Sequence, residues 1–203
     1  MMHTDRTHVN KKIAQGAATR TTILAAARRL FGSEGYAQTS TEDVAAAAGV
    51  TKGALYHHFA NKNELMRAVY EQVKREITEQ VAPAFVDNES WPGLLAGCQS
   101  ILDANLDPEV RQIVLLDGPS VLGWEVTREI EGRYGAIVLR GALRKAMNAG
   151  VIERQPLVPL AQMLNGALTE GCTLISTAED PATTRLEVGA TVVRLLEGLR
   201  PGR

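Results

Sequence analysis

Nineteen residues, TEDVAAAAGVTKGALYHHF from Thr41 to Phe59, constrain this chain more than any other stretch. The spacing predicts two short helices joined by a sharp turn. Ser40 is placed to cap the first, over about Thr41 to Ala48, because its hydroxyl can accept an unpaired backbone N–H of the first turn. Glu42 and Asp43 put carboxylates at the positive end of that helix, and Ala45 to Ala48 form helix readily while leaving room for a close crossing. Gly49 stops the helix where a positive φ is usually needed. Val50 is apolar in mid-turn, which makes sense if it plugs the angle between two helices. Thr51 caps the second helix, and Leu55 and Phe59, four apart, give it a buried stripe.

The other face of that second helix carries Lys52, Gly53, Ala54, Tyr56 and His57. Gly53 and Ala54 let the backbone approach a base edge closely, while Lys52, Tyr56 and His57 supply donors for phosphate oxygens or base acceptors. This is the pattern of a helix-turn-helix that lays one helix in the major groove. The competing reading is an alanine-rich helical hairpin whose Tyr and His lie on a wet surface.

The surrounding residues bear on that choice. The runs ILAAARRLFGSEGY and AGVTKGALYHHFANKNEL closely resemble the DNA-binding domain of the TetR/AcrR family of one-component regulators, over roughly Thr19 to Tyr70. Ala27, Leu30, Phe31, Gly35, Val44, Ala45, Ala48, Gly49, Val50, Gly53, Leu55, Tyr56, Phe59, Lys62 and Leu65 all stand where that pattern expects them. The resemblance implies an all-α protein: a three-helix head on a larger helical body that binds a ligand and dimerises, about nine helices altogether. It also implies that Lys62 contacts a phosphate and that the fourth helix joins head to body and carries an allosteric shift.

Charge agrees with such a division. The net charge of −1 hides +5 over residues 1–75 and −6 over residues 76–203, with all four histidines in the basic part. A basic front on an acidic back suits a DNA head on a body that avoids DNA. The boundaries read as a disordered basic arm over 1–18, the head over 19–65 and the body over 66–200. Arg6, Lys11 and Lys12 give the arm the means to touch phosphates or a minor groove, although an untethered terminus would look the same.

Helix 1 is predicted from about Thr21 to Gly32, with Ile23, Leu24, Ala27, Leu30 and Phe31 on one face. Thr39 and Ser40, at the mouth of the second helix, are placed to meet a phosphate. A fourth helix carries Leu65, Met66, Val69, Tyr70, Val73, Ile77 and Val81 and is predicted to stop at Pro83. Asp107-Pro108 and Asp180-Pro181 are cap-plus-first-turn pairs, and Trp91-Pro92 opens another element. One long helix is predicted from Trp124 to Ala149, and the last two over about Leu157 to Thr177 and Ala182 to Leu199. Nothing beyond Pro83 alternates like a strand.

The last two helices are apolar beyond the needs of one face. An internal core explains this equally well, but the resemblance implies pairing with symmetry mates through Leu164, Leu168, Gly171, Ile175, Leu186, Ala190, Val193 and Leu196. For a small-molecule effector the candidate lining is Trp91, Leu95, Cys98, Leu102, Ile113, Leu116, Asp117, Trp124, Tyr134 and Met163, with Gln162 and Asn165 as further polar candidates; each is equally a core residue.

No nucleophile elbow, phosphate loop or dinucleotide fingerprint points to an enzyme. Cys98 and Cys172 lack metal spacing and read as buried free thiols; no metal or cofactor is expected. The apolar run from Pro159 to Ile175 is interrupted by Gln162, Asn165 and Glu170, too polar to span a membrane, and the expected setting is the cytoplasm. The reading is thus a DNA-binding regulator, a homodimeric repressor released from a near-palindromic operator by a small molecule, with a ligand-independent architectural or activating DNA-binder as the alternative.

Overall fold

The apolar stripe along the fourth helix is long enough to serve two cores, and the molecule is built around burying it. The computed structural model describes residues 4–86 and 89–201, and every regular element among the described residues is helical. In chain order these are α1 (Thr4–Glu34), α2 (Thr41–Ala47), α3 (Lys52–His58), α4 (Lys62–Val86), α5 (Ser90–Ala104), α6 (Pro108–Val110), a π-helical turn (Arg111–Asp117), α7 (Gly118–Arg133), α8 (Gly135–Asn148), α9 (Leu157–Thr177) and α10 (Pro181–Glu197).

The head is α1 to α3 closed by the start of α4. Ile23, Ala27 and Phe31 of α1, Val44 of α2, Leu55 of α3 and Leu65, Met66 and Val69 of α4 meet in one fully buried cluster. Farther along, the same α4 stripe turns Val73, Ile77, Val81 and Phe85 into the body, against α5, α7 and α8. The predicted caps are made: Asp107 accepts from the Glu109 and Val110 amides at 2.8 and 3.3 Å, and Asp180 from those of Ala182 and Thr183 at 3.1 Å.

Three predicted elements differ. Residues 4–18 are the first half of α1, not a disordered arm; residues 1–3 lie outside the described residues. This stretch has no proline and carries Lys11, Lys12, Ala14, Ala17 and Ala18, all strong helix formers, and it continues a helix already anchored by Ile23 and Ala27. Helix α4 runs through Pro83 to Val86. Pro83 forfeits only one backbone bond, its side is exposed, and buried Val81 and Phe85 hold the helix on both flanks. The long helix predicted from Trp124 to Ala149 is two. It divides at Tyr134 (φ −114°, ψ −86°), and its first part starts upstream at Gly118 with a kink at Gly123 (φ +77°). The Tyr134 hydroxyl donates to Glu71 on α4 at 3.0 Å, so the division occurs where the chain is tied to α4.

Two cross-overs depend on missing side chains. A Cβ on Gly97 of α5 would stand 2.3 Å from the Phe85 ring, and one on Gly118 2.4 Å from the Tyr70 ring. Gly141, on the exposed side of α8, has nothing within 4 Å. Helix propensity alone favours alanine over glycine by about 1 kcal/mol. Gly97→Ala is expected to destabilise by about 1–3 kcal/mol through overpacking, whereas Gly141→Ala stabilises by about 0.5–1 kcal/mol; paired urea denaturation curves check both.

Candidate nucleic-acid interface and a cavity in the body

The turn between α2 and α3 is set by local bonds. Gly49 takes φ +65°. The Val50 amide donates to the Ala45 carbonyl at 3.0 Å and the Gly49 amide to that of Ala46 at 3.1 Å, the paired bonds of a Schellman stop. Val50 tucks against the core. Ser40 caps α2 in a reciprocal box with Asp43: Ser40 Oγ accepts from the Asp43 amide at 3.1 Å, and the Asp43 carboxylate accepts from the Ser40 amide at 2.8 Å. Thr51 caps α3, accepting from the Ala54 amide at 3.1 Å. Leu55 and Phe59 are buried, which rolls Thr51, Lys52, Gly53, Tyr56 and His57 outward and leaves Ala54 half-covered beside them.

The polar groups on this face hold one another. Lys52 is ion-paired with Glu42 of α2, and its ammonium stands 5.8 Å from the Tyr56 ring centre. The Tyr56 hydroxyl shares a 3.1 Å hydrogen bond with that of Thr41. The hydrogen bond from Lys52, with a second from Thr41, holds the Glu42 carboxyl down at about 2, so the pair stays charged at any ordinary pH. Both partners are more than half exposed, so the pair adds little to stability; its effect is to fix where the Lys52 charge sits.

Of the predicted phosphate contacts, Thr39 is turned inward and Lys62 is engaged within the head. Thr39 is buried and its hydroxyl donates to the Gly35 carbonyl at 2.9 Å, which takes that hydroxyl out of the phosphate-facing set. Lys62 is half-buried with its ammonium 4.0 Å over the Tyr36 ring; burial lowers its pKa while Asp117 pulls it back up. Glu42 and Thr41, which order the face, were not in the predicted set. Their spacing ten and fifteen residues before Lys52 and Tyr56 gives no periodic signal.

Head and body are joined by polar struts. Arg28 of α1 binds Glu76 of α4 and, at 2.6 Å, Glu109 of α6. The Tyr36 amide donates to Asp117 at 2.7 Å, and Gln112 donates to the same oxygen at 3.0 Å. The Asn63 amide group donates to the Val121 carbonyl at 3.1 Å. Asp117, predicted to face a ligand, is therefore a strut between the π-helical turn and the head.

A cavity of about 470 Å³ lies in the body between α4, α5, α7, α9 and the π-helical turn. Its walls mix Val114, Leu115, Leu168 and Trp124 with Asn105, Thr127, Asn165 and Thr169, and with the Lys74–Glu131 ion pair at 2.5 Å. Tyr70 lies beside that pair; burial and Glu131 both raise the pKa of its phenol. Of the ten predicted lining residues only Trp124 borders the cavity, together with Gln162 and Asn165. Cys98, Leu102 and Ile113 are plain core, while Met163 and Leu116 face outward. Leu95 is partly buried against the core. Trp91 lies under the Arg200 guanidinium and Tyr134 is bound to Glu71. Tyr70, Lys74 and Ile77 share one side of α4, so a lysine on the apolar stripe was the readable sign of a polar cavity wall. Both thiols are free; burial pushes Cys98 to about 12 and Cys172, which borders the cavity, to about 11, so both are held as neutral thiols.

Residues 23–69 match the family model described as bacterial regulatory proteins, tetR family, and residues 91–199 match the tetracyclin repressor-like C-terminal domain. The Tn10 TetC protein of Escherichia coli is 27% identical over 149 residues, 73% of this chain and 76% of that protein. The crystal structure of a TetR-family transcriptional regulator from Pectobacterium atrosepticum is 33% identical, with a TM-score of 0.83 over 93% of this chain and 97% of that one. RolR in complex with resorcinol has the same fold at 15% identity, with a TM-score of 0.72 over 90% and 89% of the two chains.

The Lys52–Glu42 pair yields a testable outcome. Glu42→Gln removes a carboxylate from the interface and frees the Lys52 ammonium for phosphate. It is expected to tighten binding to any duplex by roughly three- to ten-fold at low salt, with the gain fading as salt rises; fluorescence anisotropy across a salt series measures it.

Proposed function

The chain belongs to the TetR family of bacterial regulatory proteins, DNA-binding transcription regulators and not enzymes, and from that premise we propose that it is a dimeric repressor released from its operator by a small molecule. The observation that carries the reading is the outward face of α3, held rigid by the Gly49 stop, the Thr51 cap and the Leu55 anchor. Two such helices, one per protomer, enter successive major grooves about 34–36 Å apart on a near-palindrome. Lys52, Gly53 and Ala54 lie nearest the bases. Thr51, Tyr56, His57 and Lys62 meet phosphates, as does the Ser40 end of α2. Occupying a promoter in this way excludes polymerase.

Pairing of two copies is supported by the outer side of α9 and α10. Leu164, Leu168, Gly171, Ile175 and Leu196 turn into the protomer's own core, but Leu186, Ala190 and Val193 remain at least partly open, joined by Met163 (76% exposed) and Leu174 (51%). Leu186, Ala190 and Val193 fall four and three apart on α10, and Met163 and Leu174 stand eleven residues, about three turns, apart on α9, so each helix offers one open apolar side that a second copy would cover. Leu186→Glu is expected to convert the dimer to monomer in sedimentation velocity and to lower operator affinity by at least ten-fold.

Ligand release is supported by the cavity, whose volume lies in the range of drug-sized sites, and by what its walls are attached to. Helix α4 carries Lys74 at the cavity and Lys62 at the head. The π-helical turn carries Val114 and Leu115 at the cavity and Asp117 against Tyr36. A ligand that fits better when these elements shift lowers operator affinity by its differential affinity for the two arrangements.

The decisive experiment is anisotropy at fixed salt with a fragment from upstream of the protein's own gene, beside random duplex and a Tyr56→Ala/Lys62→Ala control. Tight binding that needs the upstream sequence and fails in the control is the expected result, and the same complex then serves to screen small molecules for release. Equal binding of all duplexes, repeated after random-site selection, would overturn the operator reading.

A further inference from the structure

The cavity in the body has charged walls and no net charge. Four side chains charged at neutral pH border it, Lys74, Arg128, Glu131 and Glu170, two of each sign. Arg128 and Glu170 are exposed and stand at the rim. Lys74 and Glu131 are the inner two: their side chains are 12% and 20% exposed and meet at 2.5 Å. The buried Tyr70 phenol lies against the same carboxylate. An ion pair drawn this far out of water persists because each charge is the main compensation for the other. An anion entering the cavity reaches Lys74 only by displacing Glu131, and a cation reaches Glu131 only by displacing Lys74. Either exchange leaves one charge largely buried without its partner, which is costly. A neutral molecule displaces neither.

The same walls hold hydrogen-bonding capacity that the protein leaves unused. Lys74 has three N–H donors and gives one to Glu131. Asn105, only 8% exposed, donates through its amide nitrogen to the Ile101 carbonyl at 2.8 Å, while its Oδ1 accepts from no described residue. The half-buried Asn165 side chain makes no hydrogen bond among the described residues. Between these polar groups lie Val114, Leu115 and Leu168. Polar groups this far from solvent ordinarily have partners, so spare donors and acceptors around an apolar space of about 470 Å³ fit a partner that a ligand brings.

We propose that the cavity selects an uncharged ligand, an apolar body bearing a polar group such as a hydroxyl that both donates and accepts, and that the Lys74–Glu131 pair sets this selectivity by closing the walls to ions of either sign. This rests on the reading that the cavity receives the effector. The ligand hydroxyl accepts from a spare Lys74 donor and leaves the ion pair whole, the amides of Asn105 and Asn165 serve any further polar group, and the apolar body fills the space against Val114, Leu115 and Leu168.

The test is calorimetric titration of the full chain, without DNA, with naphthalene and biphenyl bodies that carry a hydroxyl, a carboxylate, an aminomethyl group or hydrogen at one end. At neutral pH the carboxylate form is an anion and the aminomethyl form a cation, while the hydroxyl form stays neutral. Wild type is expected to bind the hydroxyl form roughly ten-fold or more tighter than either ion and than the bare hydrocarbon. Glu131→Gln leaves the Lys74 charge unpaired and moves the carboxylate form to the top of the ranking; Lys74→Met does the same for the aminomethyl form. Because a lone buried charge destabilises a fold, the double variant Lys74→Met/Glu131→Met is measured beside them. It carries no inner charge, still rejects both ions, and loses most of the preference for hydroxyl over hydrogen. A charged form that binds best to wild type, one ranking shared by wild type and every variant, or no heat of binding from any compound would overturn the assignment. DNA release is read separately by anisotropy. A hydroxyl form that follows the expected ranking but leaves the DNA complex intact counts against ligand release and supports the charge selectivity.

Discussion

Burial of one helix face joins everything this protein does. Along α4, Leu65, Met66 and Val69 complete the head's core, and Val73, Ile77, Val81 and Phe85 complete the body's. Each such side chain contributes about 1.5–3 kcal/mol when fully removed from water, so neither core can detach from α4 without exposing the other's foundation. The head and the body therefore share α4 as a common packing element. The cavity draws on the same helix, since Tyr70 and Lys74 form part of its wall one turn beyond the head's last contact.

Interiors of this kind have few ways to rearrange, because close-packed side chains do not deform continuously. The places with an alternative arrangement are the polar struts and the irregular backbone. The π-helical turn, the kink at Gly123 and the division at Tyr134 all lie in the stretch from Arg111 to Tyr134. That stretch touches the head through Asp117 and Val121 and the cavity through Val114, Leu115, Trp124 and Glu131. The backbone irregularities thus coincide with the segment that borders both sites, where π-helical turns are frequently functional.

The recognition face presents its charges already paired. Lys52 rests on Glu42, Tyr56 on Thr41, and Lys62 on the ring of Tyr36. In the proposed complex these side chains would exchange one set of partners for another, and exposed pairs of this type release their cations at small cost.

How much of this was readable follows from the range of the forces involved. The Ser40 and Thr51 caps, the Gly49 stop, the Leu55–Phe59 stripe and the Asp107 and Asp180 starts are decided by bonds within a few residues, so the head and most helix boundaries could be read directly from the chain. The extension of α4 through Pro83 could not, since Val81 and Phe85 override the proline only by packing on α5. The division at Tyr134 coincides with its bond to Glu71, 63 residues away. The cavity escaped for the same reason: Lys74, Asn105, Thr127 and Glu131 come from separate helices, and nothing local distinguishes a cavity wall from ordinary core at Cys98 or Leu102. On α9, apolar residues cover more than one side, so periodicity gave the helix but not its orientation. Local chemistry determined the DNA-reading device, and only the packing of distant helices decided which residues enclose space and which remain open.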